Sequence, residues 1–254
     1  MKIKILSMSS VRPDEEETKM KPAQDGLKKL LASTEKYGYD HEMLYIKTQF
    51  GGQMPVVVDW CERNKDNYTH ILYTDAFDTL ALAGLDELMV KLPEGIKFFG
   101  SAEKAVFPPD AELQAAYPKL SDHDWKFVNA GQWFCEIEFF LKMVAQQHPQ
   151  GINDQVWLAK RYVENFNNFE PVLLDYDCLI FQSIAFEGDD DFASLRTGRL
   201  LNRRTHSQPI WIHGNGHTNM DWIHAILDRR EPLAPVMVDV LEFTKGATVT
   251  HRPV

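Results

Sequence analysis

Between Tyr68 and Leu80 the chain reads YTHILYTDAFDTL, an apolar run that stops abruptly at two carboxylates. Ile71, Leu72 and Tyr73 have the β-prone character of a buried strand, and Asp75 and Asp78 stand where that strand must end. In an open α/β sheet the ligand sits outside the carboxyl ends of the strands, so acids placed there meet a ligand more readily than they pack. Two carboxylates this close repel each other unless they share a proton or a cation, and a divalent metal bridging a phosphorylated substrate is the commonest such cation. Asp75 fits equally well as the cap of a following helical turn, with Asp78 a solvated partner. On these residues alone both readings stay open.

The flanking chain supplies alternating strands and helices. Ile3 to Leu6 reads as a first strand opening into a polar loop at Ser7, and Leu27, Leu30 and Leu31 recur at helical spacing in a helix ending near Gly38. Met43 to Ile46 reads as a second strand, followed by a loop at Phe50-Gly51-Gly52-Gln53 and a helix through Val57 and Trp60. Beyond Asp78 come a helix over Leu85 to Leu92, a strand over Lys97 to Ser101 and a proline-rich loop at Phe107-Pro108-Pro109. Phe127 to Gly131 reads as a strand-to-loop passage, with helices from about Glu136 to Gln147 and from Asn153-Asp154-Gln155 onward. Short strands at Val172 to Leu174, Cys178 to Phe181 and Pro209 to Ile212 complete the series, with an exposed acidic turn at Asp189 to Asp191. This order predicts parallel, right-handed β-α-β units.

With 254 residues, 44% of them hydrophobic, the chain can bury a large core, and no linker divides it, so we expect one domain over residues 1–254. A formal net charge of −10 argues against a protein held on nucleic acid mainly by charge, although a local basic groove remains compatible with it. The opening MKIKILSMSS has too short an apolar run for a secretion signal and no later stretch is long enough to cross a membrane, so the expectation is a soluble, cytoplasmic protein. Cys61, Cys135 and Cys178 lack metal-ligand spacing and read as reduced, buried thiols.

Taken in order, the punctuating motifs resemble the glycosyltransferase domain of the procollagen lysyl hydroxylases and the related procollagen galactosyltransferases. The pieces are TDAFDTLALAG from Thr74, FGSAEKAVFPP from Phe99, YPKL from Tyr117, FVNAGQWF from Phe127, NDQ from Asn153, LDYDCLIFQ from Leu174 and IHGNGHTN from Ile212. A haloacid-dehalogenase type of phosphatase also ends a strand in aspartates, but it needs them two apart, and Ala76-Phe77 separates them here. Nothing resembles the dioxygenase domains of the lysyl hydroxylases.

The resemblance implies a GT-A fold, a Rossmann-like, mostly parallel central sheet flanked by helices, that moves a sugar from a nucleotide-sugar donor to an acceptor hydroxyl with the help of Mn²⁺. Carried over by position, Asp75, Asp78 and His213 match the metal ligands, and two carboxylates with one imidazole suit Mn²⁺ or Mg²⁺ better than a thiolate-seeking metal. Gly214, Asn215 and Gly216 match a turn whose amides approach phosphate oxygens, Ser7 and Ser9 lie where the base and ribose bind, and Gly51, Gly52 and Gln53 match a glycine-rich donor loop. Met54 stands where the family has a lysine. Glu103 and Phe107 match pocket residues, with Phe in place of Trp, and Asn129, Ala130 and Gly131 match a segment lining the sugar. Asn129 and Asp154 are the catalytic candidates, although Asp154 also fits a plain helix cap. The implied donor is a UDP-hexose, and the acceptor a protein, a glycan or a hydroxylated DNA base. A non-catalytic module binding a sugar nucleotide or carbohydrate on the same fold is the alternative.

Overall fold

A computed structural model describes residues 1–10, 21–46, 53–119, 123–216 and 218–228. Strands β1 (Ile3–Ser9), β2 (His41–Tyr45), β3 (His70–Thr74), β5 (Phe98–Glu103), β6 (Phe127–Glu136) and β7 (Val172–Leu174) form one sheet in the order β2-β1-β3-β6-β5-β7. Neighbouring strands run parallel except at β6, which is antiparallel to both β3 and β5. The α/β class and mostly parallel sheet expected from the sequence are thus present. The passage expected after Phe127 is instead one ten-residue strand, long enough to cross the sheet and carry the chain back against its neighbours.

Alternation along the strands builds two cores, one on each face. Leu6, Ile71, Phe98 and Trp133 point to one side, where they meet Val57 and Trp60 of helix α2 (Gln53–Asn64), Phe140 of α5 (Ile137–Gln146), and Trp157 and Tyr162 of α6 (Asp154–Asn167). Their chain neighbours Ile5, Leu72, Phe99 and Phe134 point to the other, against Leu27 and Leu30 of α1 (Lys21–Lys36) and Leu88 of α3 (Leu85–Lys91). Because the sheet is covered on both faces, its strands read as continuous apolar runs rather than alternating ones.

A second, three-stranded sheet of β4 (Thr79–Ala81), β11 (Trp211–His213) and β8 (Phe181–Ser183) is what positions the site. Its register sets His213 opposite Thr79 on β4 and beside Ser183 on β8, so the last residue of β11 arrives next to Asp78. Asp175, fully buried, holds the turn into β8 by accepting from the amides of Leu179, Ile180 and Phe181 at 2.7 to 2.9 Å. That clamp is why the strand expected from Cys178 begins only at Phe181. Strands β9 (Phe192–Ser194) and β10 (Leu200–Asn202) form a separate ribbon, and the acidic run Asp189–Asp191 is a short 3₁₀ turn. Helix α4 (Ala111–Ala116) is capped by Asp110, and α7 (Asp221–Asp228) follows the last strand.

The three cysteines are free and buried, as expected. Among the described residues no helix is long and apolar enough to cross a membrane.

Candidate active site

Asp75 lies just past the end of β3 and Asp78 just before β4, so the short connection between two pinned strands sets their separation. His213 enters from β11. One oxygen of each aspartate and one imidazole nitrogen all lie within 4.8 Å of one another. His213 Nε2 is 3.4 Å from Asp75 Oδ2 and 3.5 Å from Asp78 Oδ1. The imidazole is buried while the two carboxylates are partly exposed, so the cluster has a protein floor and an open face.

Gly131 on β6 makes this convergence possible. A Cβ there would lie 2.1 Å from His213 Cε1 and 2.6 Å from Asp75 Oδ2, distances at which no side chain fits. The same amide segment fixes the main chain, since Asp75 N donates to Gly131 O at 2.8 Å and Gly214 N donates to Asp78 O at 2.7 Å. Two anionic oxygens and one nitrogen around a space cleared of carbon form a donor set that fits a hard divalent cation such as Mn²⁺ or Mg²⁺.

The tautomer of His213 follows from its neighbours. Nδ1 lies 2.9 Å from Asn129 Oδ1, which also accepts from Gly131 N at 3.0 Å, while Asn129 Nδ2 donates to Glu103 Oε2 at 3.3 Å. Asn129 therefore presents its carbonyl to the ring, Nδ1 carries the proton, and Nε2 points at the carboxylates. Without a cation, burial pulls the imidazole pKa down, but the charges of Asp78 and Asp75 outweigh it and raise the pKa to about 10.

Behind the histidine lies a buried amide network centred on Glu103. Its carboxylate accepts from Asn215 Nδ2 at 2.8 Å, from Asn129 Nδ2 and from Gln155 Nε2 at 3.0 Å. Burial raises its pKa to about 7, against the opposing pull of these donors and of the His213 charge. Gln155 also donates to Val128 O and accepts from Ala130 N at 2.6 Å, tying α6 to β6.

Other expected site residues fall differently. Ser7 lies within β1 rather than in a loop after it, and its buried hydroxyl is 3.0 Å from His41 Nε2 on β2. Ser9 is the last residue of the same strand and is also buried. The Gly214 amide is committed to Asp78. Asn215 spends its side chain on Ala185 N at 2.9 Å and on Glu103, so that side chain and the Gly214 amide brace the site. Gly216 closes the turn with a φ of 69°. Gly51 and Gly52 lie outside the described residues, and Gln53 begins α2. Phe107, ahead of Pro108, is 63% exposed.

Asp154 is not the cap of α6. That role belongs to Asn153, whose side chain accepts from Val156 N at 3.1 Å. The Asp154 carboxylate instead reaches across the fold, with Oδ1 3.4 Å from Met54 N at the start of α2. Its charge is felt at Tyr73, whose hydroxyl donates to Asp75 Oδ1 at 3.1 Å.

Sequence reasoning missed Tyr73, Gly131 as a spacer, and Gln155 as a polar joint. Tyr73 carried a usable signal: it sits two residues before Asp75, on the same face of the strand. A groove of about 590 Å³ opens beside Asp78, bounded by Pro22, Gly26, Phe77, Thr218 and Asp221. Gly26 allows α1 to approach there, because a Cβ would lie 1.7 Å from the Phe77 carbonyl oxygen.

Comparison with known proteins matches the sequence of this chain to a glycosyltransferase domain family. The family described as PLOD GT domain matches residues 18–224. An uncharacterised protein of Acanthamoeba polyphaga mimivirus is 29% identical over 161 residues, covering 61% of this chain and 33% of that protein. Procollagen-lysine,2-oxoglutarate 5-dioxygenase 1 of Bos taurus is 30% identical over 162 residues, covering 62% of this chain and 22% of that protein. A multifunctional procollagen lysine hydroxylase and glycosyltransferase of Caenorhabditis elegans is 26% identical over 76% of this chain and 29% of its own length. The chain therefore spans a third or less of each of these relatives. A glycosyltransferase involved in glycosylation of the major capsid of PBCV-1 superposes with a TM-score of 0.49 at 10% identity, covering 89% of this chain and 98% of that one.

Proposed function

The chain belongs to the PLOD GT domain family, and from that premise we propose that it is a metal-dependent glycosyltransferase using a nucleotide-sugar donor, a UDP-hexose, with Mn²⁺ or Mg²⁺. The observation that carries the reading is the convergence of Asp75, Asp78 and His213 around a space that Gly131 keeps free of carbon. Asp75 and Asp78 bring negative charge to the carboxyl end of β3, and His213 completes the set with a nitrogen whose tautomer Asn129 fixes. A cation held there supplies charge neutralisation to a departing diphosphate.

The chain's own residues do the rest. The groove beside Asp78 has the volume expected of a nucleotide site. Asn129 and Glu103 hold the floor under the sugar, and Asp154 places a carboxylate near Tyr73 and the start of α2. The acceptor is a hydroxyl on a protein, a glycan or a modified DNA base.

The test is a screen of UDP-sugars with Mn²⁺ or Mg²⁺, read by release of UDP. Turnover that requires metal and vanishes in Asp75→Asn or Asp78→Asn is the expected result. Tight UDP-sugar binding without any release, across donors and candidate acceptors, would instead identify a binding module.

A further inference from the structure

Asp75 is held at almost every polar atom it has. Its amide donates to Gly131 O, its carbonyl accepts from Thr79 Oγ1, and its Oδ1 accepts from the Tyr73 hydroxyl at 3.1 Å. Only Oδ2 faces the cluster, 3.4 Å from His213 Nε2. Tyr73 is itself immobilised. Its ring is buried and stacked on Trp133, with centroids 5.4 Å apart and planes inclined by 22°, and Trp133 stacks in turn on Phe140.

A carboxylate with one oxygen tied to a fixed donor offers the other oxygen alone. This distinguishes cations physically: Ca²⁺ accepts bidentate carboxylates in loose coordination of six to eight oxygens, whereas Mg²⁺ demands compact octahedral sites built from single oxygens. Resting on the metal-centre reading above, we propose that Tyr73 is a positioning residue that makes Asp75 a one-oxygen ligand and thereby sets the site's preference for Mn²⁺ or Mg²⁺ over Ca²⁺.

Tyr73→Phe tests this, since it keeps the ring and its stack on Trp133 and removes only the donor. The full chain, stripped of metal, is titrated with Mn²⁺ and the free ion followed by electron paramagnetic resonance. Ca²⁺ is then added as competitor, and the melting temperature of the metal-free protein is recorded. The expected result is a fall in Mn²⁺ affinity of about tenfold, in line with loss of a group that orients a ligand. The Ca²⁺-to-Mn²⁺ affinity ratio should rise severalfold, with the melting temperature unchanged. Wild-type binding that the variant reproduces in both affinity and ratio overturns the role of Tyr73 while leaving the metal centre standing. An affinity that falls together with the melting temperature at constant ratio also overturns it, in favour of general packing. If the wild-type chain binds no Mn²⁺, the metal-centre reading fails and this inference with it.

Discussion

His213 Nδ1 is anchored 2.9 Å from Asn129 Oδ1, and that single hydrogen bond aims Nε2 between Asp75 and Asp78. Asn129 also receives the Gly131 amide and donates to Glu103, so one side chain links the proposed ligand to the buried network behind it. Asn129→Ala should therefore loosen the imidazole without removing any ligand. Partners of this kind typically contribute roughly 10- to 100-fold in metal affinity. Calorimetric titration with Mn²⁺ checks this, and an unchanged affinity would return Asn129 to a purely structural role.

Gly131→Ala is the sharper probe of the same centre. The added methyl would sit 2.1 Å from His213 and 2.6 Å from Asp75, and one of them must move. Metal-dependent UDP release should be abolished, and overpacking should cost about 1–3 kcal/mol. Retained activity at full stability would show that the cluster is not organised as described.

The pH behaviour of the metal-free protein has a definite sign. His213, raised to about 10 from an ordinary value of 6.5, contributes stability that is complete below its unfolded pKa and is lost as pH rises toward 10. Glu103, raised from 4.5 to about 7, and Asp175, raised from 3.8 to about 6, act in the same direction over their lower windows. His41, pulled down to about 4 by burial, acts in the opposite sense below about 6.5, so the melting temperature of chelator-treated protein should decline from about pH 7 to about pH 9. Cation binding displaces the His213 proton, so apparent Mn²⁺ affinity should rise over the same interval, because protons and metal compete for one nitrogen. A metal-free protein that grows more stable with rising pH over that interval would contradict this account.

How much of this was legible in the residues depends on the range of the interaction. Asp75 and Asp78 announced themselves because an apolar strand ended in charge, a signal confined to a few neighbours. His213 is 138 positions beyond Asp75 (213 − 75) and became a candidate only through its motif. The joint between Glu103 and Gln155 is invisible to periodicity, since a strand end meets a helix start only after the sheet has closed. The direction of β6 was missed for the same reason: Phe127 to Glu136 looks alike whichever way it runs. Ser7 was misplaced because small hydroxyls end an apolar pattern in sequence, yet pack inside a strand once His41 supplies a partner. Strands β4, β9 and β10 read TLA, FAS and LLN, each broken by a polar residue, unlike the equally short but wholly apolar VLL of β7.

Glu103→Gln separates charge from shape. All three side-chain groups around the Glu103 carboxylate are amide donors, from Asn215, Asn129 and Gln155. A glutamine keeps the volume but turns one acceptor into a donor facing another donor, which should cost about 1–3 kcal/mol for the unsatisfied pair. Because the native carboxyl is ionised only above about 7, the penalty should be larger at alkaline than at acidic pH. Equal melting temperatures of the two proteins at high pH would remove Glu103 from the centre of the network.

Asn153 and Asp154 divide between them two jobs that adjacent residues at a helix start often share. Asn153 takes the Val156 amide and caps α6, so Asn153→Ala should cost about 1 kcal/mol and leave turnover nearly unchanged. Asp154 is the first helical residue, and its carboxylate turns away toward Met54 N at a distance of 3.4 Å, too long to stabilise much. Its charge bears instead on Tyr73, beside the proposed ligand Asp75. Asp154→Asn keeps the size of the side chain and removes its charge. If the carboxylate stabilises charge as the sugar leaves its donor, the turnover number should drop about a hundredfold, while donor KM changes little. Wild-type turnover in Asp154→Asn at saturating UDP-sugar would show that the carboxylate takes no part in the transfer step.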